Sequence, residues 1–342
     1  MTTTETTGYA VADAERPLWF GGLPAAWGDV MRGVDPEQAQ DAASMVAAAQ
    51  LGWTVEQHPL EAVVEREYQS VRVPVPRHVA NVRSDTRTVL GVVGESYEPL
   101  QNAAAFAFCD AITDSGRAHW IGAGSTRGGA RVHALMRLDR EIRIGGAEGE
   151  DVLPLLCFRN GHDGGLSVTV SVAPFRLACV NGMLLPIEGA QRTWKARHTA
   201  HVEARLADAR RTLGVAWRYY DELEELGGRL IRERIGEGEF ERFLARLVPL
   251  PEPVPDEGGR AVRNVERVRE AIRTAYRAAP DLDGIRGTRW GALQAVTAYV
   301  DHAQPTRRTA TRTEAEARFE RATEAQPLKD RALALLTEGG DR

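Results

Sequence analysis

The spacing of hydrophobic residues divides the chain into a first part rich in strands and a second part that is helical. From residue 60 to residue 180, short apolar runs and near-alternating patterns recur between turn-forming residues. After Gly189 the apolar residues follow helical spacing instead. Because runs of strands precede runs of helices, the sequence predicts an α+β fold, with an antiparallel β-rich core, an interposed helix and an all-helical C-terminal half.

Turn and cap signals set the bounds of the predicted elements. Asp35 and Pro36 predict an N-cap followed by the first helical position, and Pro174 predicts a bulge or strand switch in the last long strand. Pro74 and Pro76 limit the first hairpin to an edge or an end of its sheet. The predicted elements are a helix over 37–50, a hairpin over 60–75, a helix over 100–113, strands over 119–124, 130–138, 141–144, 152–159 and 166–180, and helices over 199–226, 240–247, 263–278, 288–302, 309–324 and 328–336.

Shifts in composition divide the chain further. The Thr-rich start lacks the basic residues and apolar stretch of a secretory signal, and residues 249–259 have the Pro-rich composition of an extended linker. The predicted segments are a flexible tail over 1–20, an α+β core domain over 21–190, a helical extension over 191–248, the linker over 249–259 and a C-terminal helical region over 260–342.

Composition limits the class of protein. With 342 residues, 43% of them hydrophobic, the chain is long enough to bury a substantial core. No apolar run approaches the roughly 20 residues that span a bilayer, so no membrane segment is expected. Cys109, Cys157 and Cys179 are widely spaced in apolar contexts. This argues against disulfides and zinc sites, and it predicts buried thiols in a reducing cytoplasm.

The formal net charge of −5 conceals a basic middle segment. Residues 1–70 carry 3 Arg and 11 acidic residues, whereas residues 117–212 carry 14 Arg or Lys and 9 acidic residues. The acidic chain as a whole does not favour nonspecific nucleic-acid binding, but a local basic surface would allow it.

Basic residues form two candidate clusters for contacts with nucleic acid. Trp194 lies among the basic residues from Arg192 to Arg205, where cations would hold phosphates and the indole would stack on a base. The alternative is a solvated basic helix start with Trp194 docked on the core. Alternate positions of the strand over 130–138 form a polar face, which either binds a ligand or is simply the solvated face of an antiparallel sheet. The candidate nucleic-acid-binding residues are Arg127, Arg131, His133, Arg137, Arg159, Arg192, Trp194, Lys195, Arg197, His198, His201 and Arg205.

Motifs that would carry chemistry are incomplete. His198 and His201 lack the H-E-x-x-H spacing of a zinc site. The Gly-rich turn over 159–165 lacks P-loop spacing and indicates a hairpin loop. We therefore expect no catalytic residue, no metal and no cofactor. An enzyme of unrecognised chemistry would use His162 and Asp163 together with His198.

Four stretches are distinctive in combination. They are Gly-Glu-Ser-Tyr-Glu-Pro-Leu-Gln-Asn (94–102), Ala-Cys-Val-Asn-Gly-Met (178–183), Lys-Ala-Arg-His-Thr (195–199) and Gly-Thr-Arg-Trp-Gly-Ala-Leu-Gln-Ala-Val-Thr-Ala-Tyr-Val-Asp-His (287–302). Through them, residues 20–337 resemble the phage/plasmid-like protein family, domain of unknown function 932. The resemblance implies mobile elements and their replication or recombination, and it assigns no catalytic residue. The order of hairpin, helix and antiparallel strands is also similar to single-strand annealing proteins, as an analogy of fold.

Three hypotheses for the function follow. The first is a non-enzymatic, nucleic-acid-associated protein that binds or anneals single-stranded DNA and forms a homo-oligomer. The second is an enzyme, and the third is an interaction or structural module that docks through its helical half. The first hypothesis requires the cations of residues 117–212 to gather into one open groove, rather than to scatter or to pair with carboxylates.

Overall fold

The computed structural model of the chain describes residues 27–28, 30–33, 41–66, 69–114, 116–146, 149–179, 181–198, 210–251, 259–306, 309 and 311–338. Asp35, Pro36, His201 and Arg205 lie outside the described residues, as do the predicted tail over 1–20 and residues 252–258 of the predicted linker. None of the described helices is long and apolar enough to cross a membrane.

Strands dominate the first part of the chain and helices the second. The strands are β1 (Met31–Gly33), β2 (Val55–Arg66), β3 (Gln69–Arg83), β4 (Val89–Gly94), β5 (Ala118–Thr126), β6 (Arg131–Leu138), β7 (Ile142–Ile144), β8 (Glu150–Gly161), β9 (Val168–Arg176), β10 (Asn181–Gly182) and β11 (Thr193–Ala196). The helices are α1 (Ala42–Ala48), α2 (Asn102–Thr113), α3 (Arg210–Arg232), α4 (Glu237–Leu247), α5 (Arg260–Ala278), α6 (Arg289–Ala298), α7 (Glu314–Thr323) and α8 (Pro327–Thr337).

The strands form two antiparallel sheets. The main sheet has the order β1-β5-β6-β8-β9-β10, with β7 beside β8 and β11 beside β9, and the small sheet has the order β2-β3-β4. Helix α2 follows the small sheet, and α3 to α8 follow the main sheet. The predicted α+β fold is confirmed.

Both faces of the main sheet are buried. On one face, Phe158 packs among α2 and the C-terminal helices with Phe106 and Trp290. On the other face, Leu135 packs in a separate cluster with Phe319 of α7, and we call this side the α7 face. Strands β8 and β9 are buried almost without interruption, as expected for strands that are covered on both sides.

The predicted burial of the thiols is confirmed for two of the three cysteines. Cys109 and Cys157 are fully buried, and Cys179 is half-buried. Burial raises the pKa of the Cys109 and Cys157 thiols, so both are protonated and inert at neutral pH.

The described part of the first predicted helix begins only at Ala42, and Pro174 is not a bulge, although the neighbour of β9 changes from β11 to β10 around it. Helix α1 begins at Ala42, because Asp41 has extended backbone angles and its carboxylate accepts the Ser44 N–H at 2.8 Å. Pro174 pairs regularly with Pro154 of β8. The Pro174 carbonyl accepts the Met183 N–H at the edge of β9 that faces away from β8. The Pro174 nitrogen points to that same edge, in the gap between β10 and β11, where no neighbouring strand needs an N–H donor.

Two further helix starts differ from the prediction. Thr193–Ala196 is an edge strand, not the approach to a helix, and the helix expected from residue 199 is described only from Arg210. Helix α7 starts at Glu314 because Thr313 caps it: its hydroxyl accepts the Glu316 N–H at 3.2 Å.

Candidate functional site

The register of the main sheet gathers predicted basic residues from three strands onto one face. His133 on β6 lies opposite Arg159 on β8, Arg159 lies opposite Thr169 on β9, and Thr169 lies opposite Lys195 on β11. Directly opposed residues of antiparallel strands project from the same face. These basic residues therefore share the α7 face. The nucleic-acid hypothesis requires its basic residues to gather on one surface, and for these residues that requirement is met.

Helix α7 places a row of carboxylates on this face. Glu316, Glu320 and Glu324 are four residues apart, so they lie on one side of the helix axis. Glu320 is only 7% exposed, and its oxygens lie 3.2 Å from the Arg127 guanidinium and 3.4 Å from that of Arg131. Glu316 accepts the main-chain N–H of Arg127 at 2.7 Å. The arginines are thus neutralised within the chain.

Arg159 is buried and paired in the same way. It is 6% exposed, and it donates to Ser171 Oγ at 2.7 Å and to the Thr323 carbonyl at 2.6 Å. Its other terminal nitrogen lies 3.1 Å from Glu324. A buried guanidinium is tolerated when its charge is paired and hydrogen-bonded, which is the case here.

His133 is part of this packing rather than of an open surface. Its ring centroid lies 4.5 Å from that of Phe319, and its Nε2 lies 3.3 Å from the Val30 carbonyl oxygen. Burial lowers the pKa of His133 to about 3, so the imidazole is neutral at pH 7. A neutral ring that is shielded from solvent cannot hold a phosphate.

The polar face predicted for the strand over 130–138 is covered at its centre. The alternation is present, but Trp27, Met31 and the α7 residue Phe319 cover His133 and Leu135. His133 and Leu135 are therefore neither a binding surface nor solvated, whereas Arg137 on the same face is exposed.

The other predicted residues are dispersed. Arg192 forms two hydrogen bonds of 2.9 Å with Asp330, and Trp194 is half-buried with its ring centroid 6.3 Å from that of Phe108. His198 is 7% exposed. The predicted residues that are exposed and make no ion pair with another described residue are Arg137, Lys195 and Arg197.

A second group of polar side chains is buried where the small sheet meets the main sheet. The Tyr97 ring stacks on His198 with centroids 4.7 Å apart. His162 Nε2 lies 3.1 Å from Asn102 Oδ1, and the Asn81 amide donates to the His162 carbonyl at 2.7 Å. The structure thus brings His162 and His198, the residues of the enzyme hypothesis, into one neighbourhood.

We call this group of side chains, which packs between the two sheets, the buried histidine joint. Burial lowers the pKa of His162 to about 3, lowers that of His198 and raises that of Tyr97. His162 has no exposed surface, so a substrate cannot reach it without opening the structure. Asp163 faces Arg131 at 3.6 Å. Within the described ranges, no group of three or more His, Cys, Asp or Glu side chains is arranged to hold a metal ion.

The small sheet carries exposed valines. Val63 is 60% exposed, Val64 and Val73 are both 42% exposed, Val89 is 57% exposed and Val92 is 55% exposed. Val64 and Val73 belong to a projecting hairpin over Glu61–Pro74, which we call the β-arm.

Register and alternation place Val64, Val73, Val89 and Val92 on one face and Val63 on the other. Strand β2 runs unbroken over Val55–Arg66, so its even-numbered residues project to one side. The pairing of β2 with β3, and of β3 with β4, assigns the opposed residues to the same side. We call this side the outer face; it comprises Glu56, His58, Leu60, Ala62, Val64 and Arg66 on β2, Val71, Val73, Ala80 and Val82 on β3, and Val89 and Val92 on β4.

The opposite side of the small sheet is packed at its root. A Cβ atom added to Gly91 would lie 2.6 Å from the Asp163 Cα, so β4 approaches the 160–165 turn as closely as a glycine allows. Gln57 on the same side donates to the Tyr97 carbonyl at 2.9 Å.

A bulge separates the β-arm from this root. Between two paired positions, residues 75–78 of β3 face Leu60 alone, and Arg77 has a φ of 58°. Strand β4 pairs only with residues 78–82 of β3, so Pro74 and Pro76 lie beside a free edge. This confirms the edge position predicted for the two prolines.

Sequence reasoning missed the outer face. The valines at 63–64 and 71–75 identify a hairpin, but alternating aliphatic residues are the usual signal of a buried side. The available signal was the pair of prolines, because they keep a neighbouring strand away from this part of β3.

Comparison with known sequences gives one match. The family described as Domain of unknown function (DUF932) matches residues 89–323, which is more than half of the chain. The chain belongs to the DUF932 family. No curated protein and no solved structure matches it.

The DUF932 match includes strands β5 to β11 of the main sheet, the two buried histidines and α7, whereas β1 and the β-arm precede it. Two of the distinctive stretches meet in a buried network inside the match. Asp301 accepts the Gly182 N–H at 2.9 Å, and Lys329, just beyond the match, lies 2.6 Å from Asp301. His302 Nε2 lies 2.9 Å from Asn181 Oδ1. In this DUF932 chain these stretches therefore join the sheet to the helices.

Proposed function

We propose that this DUF932 protein is a non-enzymatic binding protein that associates with another protein chain through the outer face of the small sheet. The exposure of Val64, Val73, Val89 and Val92 on one face carries the proposal. Contiguous exposed apolar surface is characteristic of association sites. The buried histidine joint is a weaker candidate, because His162 has no exposed surface and His198 is only 7% exposed.

Energetics favour a partner on this face. Burying a valine side chain fully stabilises by about 1.5–3 kcal/mol, so covering the exposed halves of four valines would contribute roughly 3–6 kcal/mol before the entropic cost of association. A two-stranded hairpin in water is also marginally stable alone. Association would therefore stabilise the β-arm as well as bind the partner.

The test compares two faces of one ribbon. In V64K/V92K, two ammonium groups occupy the outer face, whereas Val63→Lys places a single ammonium group on the opposite side of β2. The full chain and its variants are cross-linked in lysates of expressing cells and sized by gel electrophoresis. We expect assemblies above the mass of the single chain for the wild type and V63K, and none for V64K/V92K.

Two results would contradict the proposal. Either the wild type yields the single chain alone, or V63K loses the assemblies as completely as V64K/V92K does. Circular dichroism melting of each variant checks that the loss is not a loss of fold.

Nucleic-acid association is a second candidate, and the position of Lys195 and Arg197 supports it. Both are exposed at the edge of the main sheet, and Lys195 lies in the cross-strand row that contains Arg159. A role in binding or annealing single-stranded DNA, in the setting of phages or plasmids and in the cytoplasm, belongs to this candidate. It rests on the distinctive stretches and on the unpaired cysteines.

A salt titration tests this second candidate. Each phosphate that a protein neutralises contributes about −0.7 to the slope of log K against log salt for a single strand, so two or three free cations predict a slope between about −1.4 and −2.1. K195Q/R197Q should abolish the fluorescence anisotropy change of a labelled oligonucleotide. R229Q/R232Q, which removes two exposed arginines of α3, should not. Equal loss in both variants would exclude a specific surface.

A further inference from the structure

We infer that the partner on the outer face is a second copy of this chain, with the two small sheets stacked face to face and their β2 strands antiparallel. This inference rests on the proposed association through the outer face. It names the occupant of that face and gives its orientation.

The order of residues along β2 is self-complementary. From root to tip, the outer-face residues are Glu56, His58, Leu60, Ala62, Val64 and Arg66. An acid is at the root, aliphatic residues occupy the middle and a cation is at the tip. A two-fold axis near residue 61 lays the tip of one copy over the root of the other, which places Arg66 above Glu56 twice, Leu60 against Ala62 and Val64 against the His58 ring.

The charges at both ends are available for this contact. Arg66 makes no ion pair with another described residue. Glu56 pairs with Arg87 at 2.8 Å, but this pair is exposed to water. Because exposed pairs contribute only about 0–1 kcal/mol, exchanging Arg87 for Arg66 of the second copy costs little.

The β-arm favours stacking by its face over pairing by its edge. Pro74 in the β-arm and Pro76 beside it each remove an N–H donor from β3, which weakens this edge as a template for another strand, whereas the edge of β2 in the β-arm keeps its donors. The four exposed valines of the outer face are what favours stacking by the face. Sheets that stack by their faces need no free donors; they lie about 10 Å apart and interlock side chains. Between residues 61 and 74 the sequence carries three glutamates and two arginines, so the net charge of each β-arm is only −1.

The area of the outer face determines how stable a dimer we expect. Ten residues of strand at about 3.3 Å each, over two to three strands about 4.8 Å apart, give roughly 300–500 Å² per copy. Stable interfaces bury about 800 Å² per partner, so this contact predicts a reversible dimer that forms as the concentration rises.

Charge reversal tests the orientation. Sedimentation velocity of the purified chain, from low to high micromolar concentration, should show a monomer–dimer equilibrium for the wild type. Glu56→Lys or Arg66→Glu places like charges opposite each other and should weaken the dimer about tenfold or more. E56K/R66E should restore it, because the pairs are re-formed with reversed sign. Glu61→Lys makes the same change on the opposite side of β2 and should leave the dimer intact.

The outcomes separate this inference from the proposed function. A chain that stays monomeric when pure, but whose assemblies in lysate still depend on Val64 and Val92, overturns the second copy and keeps the outer face. Failure of E56K/R66E to restore the dimer, or equal weakening by E61K, overturns the stacked orientation. A monomer in both settings removes the inference and the proposed function together.

Discussion

The α7 face of the main sheet and the outer face of the small sheet differ in which residues they bury: the first buries polar residues, and the second exposes apolar ones. The main sheet carries His133 and Arg159 on its α7 face, and both are buried. The small sheet carries Val64 and Val92 on its outer face, and both are exposed. Residue type alone therefore does not decide which face meets water. What decides it is whether a later part of the chain returns to cover the face.

The energetic reason lies in the partners. Arg159 can be buried because Ser171, Thr323 and Glu324 contact both of its terminal nitrogens and neutralise its charge. Nothing comparable covers Val64 within the described part of the chain, so its exposed apolar surface remains as a source of binding free energy.

The largest effect is expected from removing the Glu320 carboxylate, which three arginines share. Glu320→Ala leaves Arg127, Arg131 and Arg312 without the group that they pair with in the chain. Losing one partner of a buried ionic group costs about 3–5 kcal/mol, and we expect a loss of that order in the free energy of unfolding. Urea denaturation measures it.

A matched control lies on the same helix. Glu314 pairs with Arg318 at 2.6 Å, but both side chains are more than half exposed. Glu314→Ala should change the free energy of unfolding by less than about 0.5 kcal/mol. Comparable losses for E314A and E320A would show that the α7 carboxylates are not what neutralises this face.

Acid should destabilise the α7 face through His133. Its pKa is about 3 in the folded chain, against 6.5 for the free side chain, so protons bind better to the unfolded state. The stability due to the neutral ring is complete above pH 6.5 and is lost as the pH falls towards 3. At pH 5 this loss is about 2 kcal/mol.

Replacing the His133 imidazole measures this pH-dependent loss of stability. His133→Gln should reduce the difference between the unfolding free energies at pH 7 and pH 5 by about 2 kcal/mol. His119 on β5 is exposed, and His119→Gln should leave that difference unchanged. Identical pH dependence of the wild type and H133Q would mean that water reaches His133.

Local elements were predictable from the sequence because they depend on short-range signals. The Gly-rich turn over 159–165 and the alternation in β6 led to the correct strands. The burial and the partners of the polar residues on these strands were not predictable. Arg127 meets Glu316 across 189 positions, and no local pattern encodes so distant a contact. The four-residue spacing of the glutamates in α7 was visible, but it equally describes a solvated helix face.

The smallest expected effect is the sharpest test of the outer face. Val73→Ala removes two methyl groups that are 42% exposed, so the free energy of unfolding of the monomer should fall by about 0.5 kcal/mol or less. Val93 belongs to the same small sheet, is 5% exposed and packs against Gly164. Val93→Ala should cost about 2 kcal/mol, because its methyl groups are buried and a cavity remains. Equal costs at low protein concentration would mean that the monomer itself covers the outer face. A cost for V73A that grows with concentration would mean that a second copy does.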